Sequence, residues 1–124
     1  MRVINWLGRR TGQALLGATF IKLGFDAAVE PGARVHRAAG LGLPNAELAV
    51  RGNGAAMVAG GAALTLDKLP RLAAFGLIAS MIPTTLAGHA FWDFDGAERE
   101  ANEIQFLKNA GLVGGLLLVL TRSR

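Results

Sequence analysis

Apolar residues along the chain fall into four long segments, separated by short polar breaks. Crossing the hydrocarbon core of a bilayer, about 30 Å thick, takes about 20 mostly apolar residues at a helical rise of about 1.5 Å per residue. Each segment is long enough to do so. The pattern therefore predicts an all-α integral membrane four-helix bundle with spans at about 9–29, 47–66, 70–92 and 103–121.

Prolines mark one boundary and one irregularity in this pattern. The second and third spans are joined by the short segment DKLP, and Pro70 suits the first turn of the helix that follows. Pro83 lies inside the third span, where it removes a backbone donor and predicts a kink. The hydroxyls of Thr84 and Thr85 are expected to satisfy carbonyls that the proline frees.

The composition agrees with a membrane protein of one domain, residues 1–124. Hydrophobic residues make up 52% and charged residues 18%, against about 25% charged in soluble domains. The 17 glycines lie mainly inside apolar runs, as membrane helices tolerate. A soluble Ala/Gly-rich helical bundle is the alternative. The chain has no Cys, which excludes thiol redox chemistry and thiolate metal sites in it.

The placement of basic residues predicts the orientation. Cytoplasmic segments carry an excess of Lys and Arg. Seven lie on one side of the predicted bundle and four on the other, which puts both termini in the cytoplasm. The larger group is Arg2, Arg9, Arg10, Lys68, Arg71, Arg122 and Arg124, and the smaller is Arg34, Arg37, Arg51 and Arg99. Basic residues dispersed in this way argue against a nucleic-acid partner.

Small residues four positions apart are typical of sites where helices approach closely in lipid. The pairs are Gly8 with Gly12, Ala56 with Gly60, and Gly111 with Gly115. In a glycine-rich chain such pairs also arise by chance. Contacts between helices and a homo-oligomer interface both stay open as interpretations.

The first loop, residues 30–46, has two interpretations. Arg34, Arg37, Leu41 and Leu43 suit a short segment lying at the membrane surface. An ordinary loop explains the same residues.

Polar residues inside the predicted spans collect toward one side of the bundle. Ionisable groups in a span are costly, so each needs a partner or a role. With both termini in the cytoplasm, they fall in the outer half, whereas the inner half offers little beyond Thr65 and Ser80. The candidates for a polar pocket are Lys22, Asp26, Arg51, Asn53, His89, Trp92, Lys108 and Asn109, with Gln105 beside them.

Three interpretations of this cluster remain open. In a ligand pocket, Lys22, Arg51 and Lys108 would receive an anion or a quinone carbonyl, while Asp26 and His89 would exchange protons. In a structural network, Lys22, Asp26 and Lys108 would neutralise one another. In the third, the long side chains reach the membrane interface.

Other chemistry finds no support in the sequence. His89 lacks a second ligand at helical spacing and His36 lies far away, so no metal site is expected. Trp6 and Trp92 fall near predicted span ends, where aromatic residues anchor helices. Motifs of serine hydrolases, P-loop proteins and dinucleotide-binding proteins are missing. No residue is assigned a catalytic role.

The ordered motifs of the chain resemble the DoxX family over nearly its whole length. They are Arg10, Gly17 followed by Lys22–Leu23, Gly42–Leu43–Pro44, Gly60–Gly61, His89 with Trp92, and Phe106 with Lys108–Asn109 and Gly114–Gly115. This resemblance implies a four-helix protein of the bacterial inner membrane. Some members are described as the small subunit of a thiosulfate:quinone oxidoreductase or as a partner of terminal oxidase components. Mycobacterial relatives are linked to an oxidoreductase assembly with superoxide dismutase and a sulfurtransferase.

Three functions follow as hypotheses. The first is a subunit, not catalytic alone, that anchors soluble redox proteins at the lipid bilayer. The second is a quinone-interacting oxidoreductase subunit that uses the outer polar cluster, with quinone as its cofactor. The third is a transporter of small solutes or lipids through the same pocket. Neutralising Lys22 or His89 is expected to matter under the second hypothesis and not under the first.

Overall fold

The computed structural model of the protein describes residues 1–122, and all regular secondary structure within them is helical, with no strand. Four long helices and one short one are joined by brief connections. Arg124, one of the basic residues used to predict the orientation, lies outside the described residues. The elements are α1 (Arg2–Val29), α2 (Ala33–Ala39), α3 (Ala46–Thr65), α4 (Pro70–Gly88), a 3₁₀ turn (Phe91–Asp93) and α5 (Gly96–Thr121).

Two of these segments are long and apolar enough to cross a membrane. They are Pro70–Asp93, which combines α4 with the 3₁₀ turn, and Gly96–Thr121, with mean hydropathies of 1.4 and 1.5. Large apolar side chains on them face outward, such as Phe75 (61% exposed) and Leu118 (74% exposed). Such extensive apolar surface is rare on a soluble monomer, and contact with lipid accounts for it. The α1 and α3 helices are long, but they do not meet the same hydropathy criterion.

Consecutive long helices run antiparallel, as the residues in contact show. On α1 and α3, Gly17 lies against Gly61 and Gly24 lies against Gly54. The α3 and α4 helices meet at Gly60 and Leu77 and again at Asn53 and Thr84. Asn109 of α5 bonds Thr85 of α4, while Arg71 bonds the carbonyl of Arg122. We call the end that carries the α3–α4 connection the Asp67 end, and the opposite end the α2 end.

The tightest packing lies between α1 and α3, along a line of glycines that we call the glycine seam: Gly17 and Gly24 on α1, Gly54 and Gly61 on α3. A Cβ built on Gly61 would lie 2.6 Å from the carbonyl oxygen of Gly17. No side chain fits there, because the obstacle is backbone. In lipid, van der Waals packing of this kind drives helix association.

The pairs of small residues noted in the sequence are not the glycines that form the seam. A Cβ built on Gly8, Gly12 or Gly111 meets nothing within 4 Å among the described residues, so these three glycines make no close helix contact within one copy of the chain. An interface between copies there stays a prediction. Gly60 does lie against Leu77, and a Cβ built on Gly115 would lie 3.4 Å from Leu16. The contacting glycines of the seam are seven apart along each helix, a spacing that keeps residues on one helix face.

A small buried core lies where the four long helices meet. Its fully buried large side chains are Phe20, Leu64, Leu77 and Leu116, with Met57 and Met81 beside them. Each long helix contributes at least one of these side chains. Their close packing stabilises the arrangement of the helices. The core leaves the outer faces of the helices apolar and exposed.

The α4 helix begins as predicted, with Pro70 in its first turn. It continues through Pro83 without a break up to Gly88. The Thr84 hydroxyl donates to the carbonyl of Ser80 at 2.8 Å, which provides a local bond near the proline. Thr85 instead accepts a bond from α5.

Three helix ends do not coincide with the ends of the predicted spans. The α1 helix begins at Arg2 and not near residue 9. The α4 helix ends at Gly88, because His89 leaves helical dihedral angles (φ −133°, ψ 43°). The α5 helix begins at Gly96 and not near residue 103, so the acidic residues Glu98 and Glu100, which precede the predicted fourth span, are helical. Glu98 lies in its first turn, where a negative charge interacts favourably with the helix dipole. Within the first loop, residues 33–39 form α2; its position at a membrane surface stays a prediction.

Candidate functional site

A cavity of about 720 Å³ opens at the α2 end. Residues from all five helices line it, and α2 forms one of its sides. Its walls are largely apolar, with Leu23 of α1 and the thioethers of Met57 and Met81 among them. Five uncharged polar or imidazole side chains also reach it: Asn53, Thr84, His89, Gln105 and Asn109. The arrangement is typical of small-molecule sites, which are mostly apolar with a few polar groups.

Asn53 connects α3 to α4 at the cavity wall. The Ser80 hydroxyl donates to Asn53 Oδ1 at 2.7 Å, and Asn53 Nδ2 lies 3.4 Å from Thr84 Oγ1. Because the Thr84 hydroxyl already donates to the carbonyl of Ser80, Thr84 Oγ1 accepts from the amide nitrogen, and this fixes the orientation of the Asn53 amide. The amide nitrogen of Asn53 carries two hydrogens. One bonds Thr84, and the other points to Met57 Sδ at 3.7 Å, a weak acceptor that a ligand oxygen would replace.

Asn109 makes the corresponding connection between α5 and α4. Its Nδ2 donates to Thr85 Oγ1 at 3.0 Å, and Thr85 is buried. The second hydrogen of this amide has no assigned partner among the described residues. Asn53 and Asn109 therefore place amide groups on two sides of one cavity, each held by a threonine of α4.

His89 lies just past the end of α4 and is oriented by α5. Asn102 Nδ2 donates to the carbonyl of Glu98 at 2.9 Å, which turns Asn102 Oδ1 toward His89 Nδ1 at 3.2 Å. Because that oxygen can only accept, the neutral ring carries its proton on Nδ1 and keeps Nε2 as an acceptor. His89 also lines the cavity.

The cavity is electropositive where α2 borders it. Arg34 and Arg37 line this side, and Arg34 donates to the carbonyl of Glu30 at 3.3 Å. Both arginines are exposed. No Asp or Glu is among the residues that line the cavity. An electronegative group on a ligand would thus meet positive charge and amide donors but no carboxylate.

The structure brings three of the predicted pocket residues together at this cavity: Asn53, His89 and Asn109. Lys22 and Asp26 are not among its lining residues. They pair with one another at 2.9 Å on an exposed part of α1, with the Lys22 side chain 74% exposed. This geometry matches the pairing considered for the two residues, but Lys108 does not share their ion pair.

Arg51 has a local structural role. Its guanidinium donates to the carbonyl of Ala28 at 2.6 Å and pairs with Glu47 at 3.2 Å. It therefore bonds a carbonyl near the end of α1, one of the groups that a helix terminus leaves without an intrahelical partner. Arg51 does not line the cavity.

Trp92 and Lys108 also lie apart from the cavity lining. Trp92 packs edge-to-face with Phe91 and Phe106, at ring-centroid distances of 5.3 and 5.9 Å. Lys108 is exposed on α5.

A second polar cluster, at the Asp67 end, was missed by the sequence analysis, which expected little there beyond Thr65 and Ser80. Gln13, only 1% exposed, donates to Asp67 Oδ1 at 2.9 Å and to the carbonyl of Leu64 at 3.0 Å. Arg122 donates to Gln13 Oε1 and pairs with Asp67 at 3.3 Å. One amide and one carboxylate thus tie α1, the α3–α4 connection and the end of α5 together.

The bond from Gln13 lowers the pKa of the Asp67 carboxyl; partial burial opposes this effect, and Arg122 and Arg10 lower the pKa further. The net direction is downward. A signal for this cluster was present in the sequence, because Gln13 is a polar residue within an otherwise small and apolar stretch of α1. Its partners are 54 and 109 positions away, which no local pattern indicates.

Comparison with known proteins assigns the family. The DoxX family model matches residues 12–90 of the 124, which is more than half of the chain. No curated protein and no solved structure matches the chain. The matched range includes the glycine seam, Gln13 and His89, while the Phe106–Asn109 motif lies beyond it. The chain belongs to the DoxX family of membrane proteins.

Proposed function

We propose that this protein is a four-span subunit of the bacterial inner membrane, with both termini in the cytoplasm, that binds a quinone in the cavity at its α2 end. In this role it assists a quinone-linked redox assembly and is not catalytic alone. The single observation that carries the proposal is the cavity itself, where amide donors from two helices face apolar walls.

The distribution of charge supports the proposed orientation. Basic residues gather at the Asp67 end, which combines the start of α1, the α3–α4 connection and the end of α5. An excess of Lys and Arg is typical of the cytoplasmic side. The cavity would then open toward the outer face. The antiparallel order of the long helices supports one span for each of α1, α3, α4 and α5.

The cavity suits a quinone headgroup in size and chemistry. A volume of about 720 Å³ falls within the roughly 300–1,000 Å³ of small-molecule sites. A quinone ring presents two carbonyl oxygens and otherwise apolar surface. Asn53 and Asn109 supply N–H donors for such oxygens, and Met57 and Met81 supply adaptable apolar contacts. His89 Nε2 is an acceptor for the hydroxyl of the reduced form.

The electrons for quinone reduction and the binding of the quinone are proposed to come from different proteins. Reduction of a quinone to a quinol takes two electrons and two protons. The chain has no Cys, so the electrons are proposed to come from a partner protein with its own redox group. The residues of this chain would hold the ring, orient its carbonyls and accept a hydrogen bond at His89.

The test is purification from native membranes in a mild detergent, followed by extraction and quantification of quinone. We expect about one quinone per chain in the wild type and a loss of roughly tenfold or more in Asn53→Leu and Asn109→Leu, which remove half-buried amide donors from the cavity wall. Lys22→Met is the matched control, because Lys22 lies outside the cavity lining. Quinone absent from the wild type, or unaffected by both asparagine changes, would contradict the proposal.

Anchoring of soluble redox proteins is the second candidate, and one surface favours it. The first turns of α5 expose Glu98, Glu100 and Glu103 beside the aromatic cluster of Phe91 and Trp92. An acidic surface with exposed aromatic groups suits a basic protein partner. Replacing the three glutamates with glutamine is expected to release co-purifying proteins, detected by mass spectrometry, while quinone content stays unchanged.

A further inference from the structure

A second concavity, of about 360 Å³, runs along the outer surface between α3 and α4. Small residues form its walls, including Gly60 and Ala63 of α3 and Ala73 and Gly76 of α4, and Leu77 lies at its floor. We call it the α3–α4 groove. It differs from the cavity at the α2 end in position and lining, and it plays no part in the proposed quinone site.

The groove exists because the two helices meet at only part of their facing surfaces. A Cβ built on Gly60 would lie 2.9 Å from Leu77, so the helices touch there. A Cβ built on Gly76 meets nothing within 4 Å. The absent side chain at Gly76 thus leaves open space that a non-protein group can occupy.

The length of the groove matches one leaflet. It runs from Lys68 and Leu69 at the Asp67 end to Ser80 in the middle of α4. From Leu69 to Ser80 the chain advances eleven residues, or about 16 Å at the helical rise of about 1.5 Å. Half of the hydrocarbon core is about 15 Å. A single acyl chain that starts at the interface would therefore fill it.

The charge at the open end is positive. Lys68 is exposed and forms no ion pair within the described residues, and no Asp or Glu lines the groove. Its neighbour Asp67 is bonded to Gln13 and Arg122 on the other side of the connection. An ammonium group at the level of lipid headgroups attracts anionic lipids.

From these observations we infer that the α3–α4 groove binds one acyl chain of an anionic phospholipid, whose phosphate pairs with Lys68. A second copy of this chain fits less well. In a two-fold dimer the same patch meets itself, so that two concavities would face each other and enclose a void. A flexible acyl chain follows a narrow groove without that cost.

The experiment is native mass spectrometry of the full chain in detergent with added phosphatidylglycerol or phosphatidylcholine. We expect the wild type to retain one phosphatidylglycerol and little phosphatidylcholine. Gly76→Leu fills the groove and is expected to abolish retention, while Gly111→Leu is the matched control, because a Cβ at Gly111 also meets nothing within 4 Å. Lys68→Gln is expected to lower retention roughly fivefold, and Lys68→Arg to preserve it.

Each alternative outcome is distinct. Equal retention of the two lipids, or retention unchanged by Lys68→Gln, would overturn the pairing of phosphate with Lys68. Retention unchanged by Gly76→Leu would overturn the groove as the site. If Gly76→Leu instead dissociates a dimer in analytical ultracentrifugation and leaves lipid retention intact, the groove is an interface between copies and the inference fails. Circular dichroism checks that each variant keeps its helical content.

Discussion

Gly24 of α1 and Gly54 of α3 face each other so closely that a Cβ on either would lie 2.5 Å from the other's carbonyl oxygen. The same relationship repeats one heptad along each helix, at Gly17 and Gly61. The obstacle in each case is backbone, which cannot rotate away as a side chain can. The glycine seam therefore sets the distance between α1 and α3, and with it the position of the cavity wall that these helices form.

The first prediction concerns Gly54→Ala. The added methyl would meet the Gly24 carbonyl at 2.5 Å and the Ala28 nitrogen at 2.8 Å. Overpacking of this kind costs about 1–3 kcal/mol, although Ala favours the helix over Gly by up to about 1 kcal/mol. We expect a lower thermal midpoint, measured by circular dichroism in detergent.

The control for this prediction is Gly111→Ala, where a Cβ meets nothing within 4 Å. At this position no steric overlap offsets the higher helix propensity of Ala, so the thermal midpoint is expected to stay the same or to rise. Equal responses of the two variants would show that α1 and α3 are farther apart than described.

The second prediction is an acid sensitivity from Asp67. Its pKa in the folded protein lies below its ordinary value, because Gln13 and the nearby arginines favour the carboxylate. A depressed pKa means that its contribution to stability is present above the unfolded pKa, about 3.9, and is lost as the pH falls through the folded value. The thermal midpoint of unfolding is therefore expected to decrease once the pH is lowered below about 4.

Asp67→Asn should make that acid decline shallower and lower the midpoint at neutral pH. Glu100→Gln, which changes an exposed carboxylate at the start of α5, is expected to keep the steepness of the wild type. An acid decline equally steep in Asp67→Asn would mean that Asp67 contributes nothing to it.

The third prediction concerns the coupling between Asp67 and Arg122. Their side chains are 31% and 23% exposed and meet at 3.3 Å, and both also bond Gln13. Residues within one hydrogen-bond network show interaction energies of roughly 0.5–3 kcal/mol. The double variant Asp67→Asn/Arg122→Ala should therefore lose less stability than the sum of the single variants. Strict additivity in chemical unfolding would refute the coupling.

The fourth prediction concerns Ala87, which lines the cavity at the α2 end. Ala87→Phe introduces a ring into the cavity, so bound quinone is expected to fall to a small fraction of the wild-type amount. Ala55→Phe, at an exposed position of α3 outside both concavities, is the matched control. Quinone retained in full by Ala87→Phe would place the ligand elsewhere.

Part of the candidate site was accessible to sequence reasoning. Asn53, His89 and Asn109 stand out as polar residues near the ends of apolar segments, and the structure places all three at one cavity. Lys22 and Arg51 stand out for the same reason, yet they bond neighbouring groups outside the cavity lining. A polar residue in an apolar segment requires a hydrogen-bonding or charged partner. The face of the helix on which it lies determines which partner it contacts.

The sequence by itself determined the helical character of the chain, the start of α4 at Pro70 and the membership of the DoxX family, because these depend on local composition and on ordered motifs. Tertiary structure decided which glycines touch and which remain open, since Gly17 and Gly111 are indistinguishable until a facing helix is present. It also decided the cluster of Gln13, Asp67 and Arg122, whose members are far apart in the chain. Local patterns specify helices, whereas the register and rotation of packed helices specify contacts.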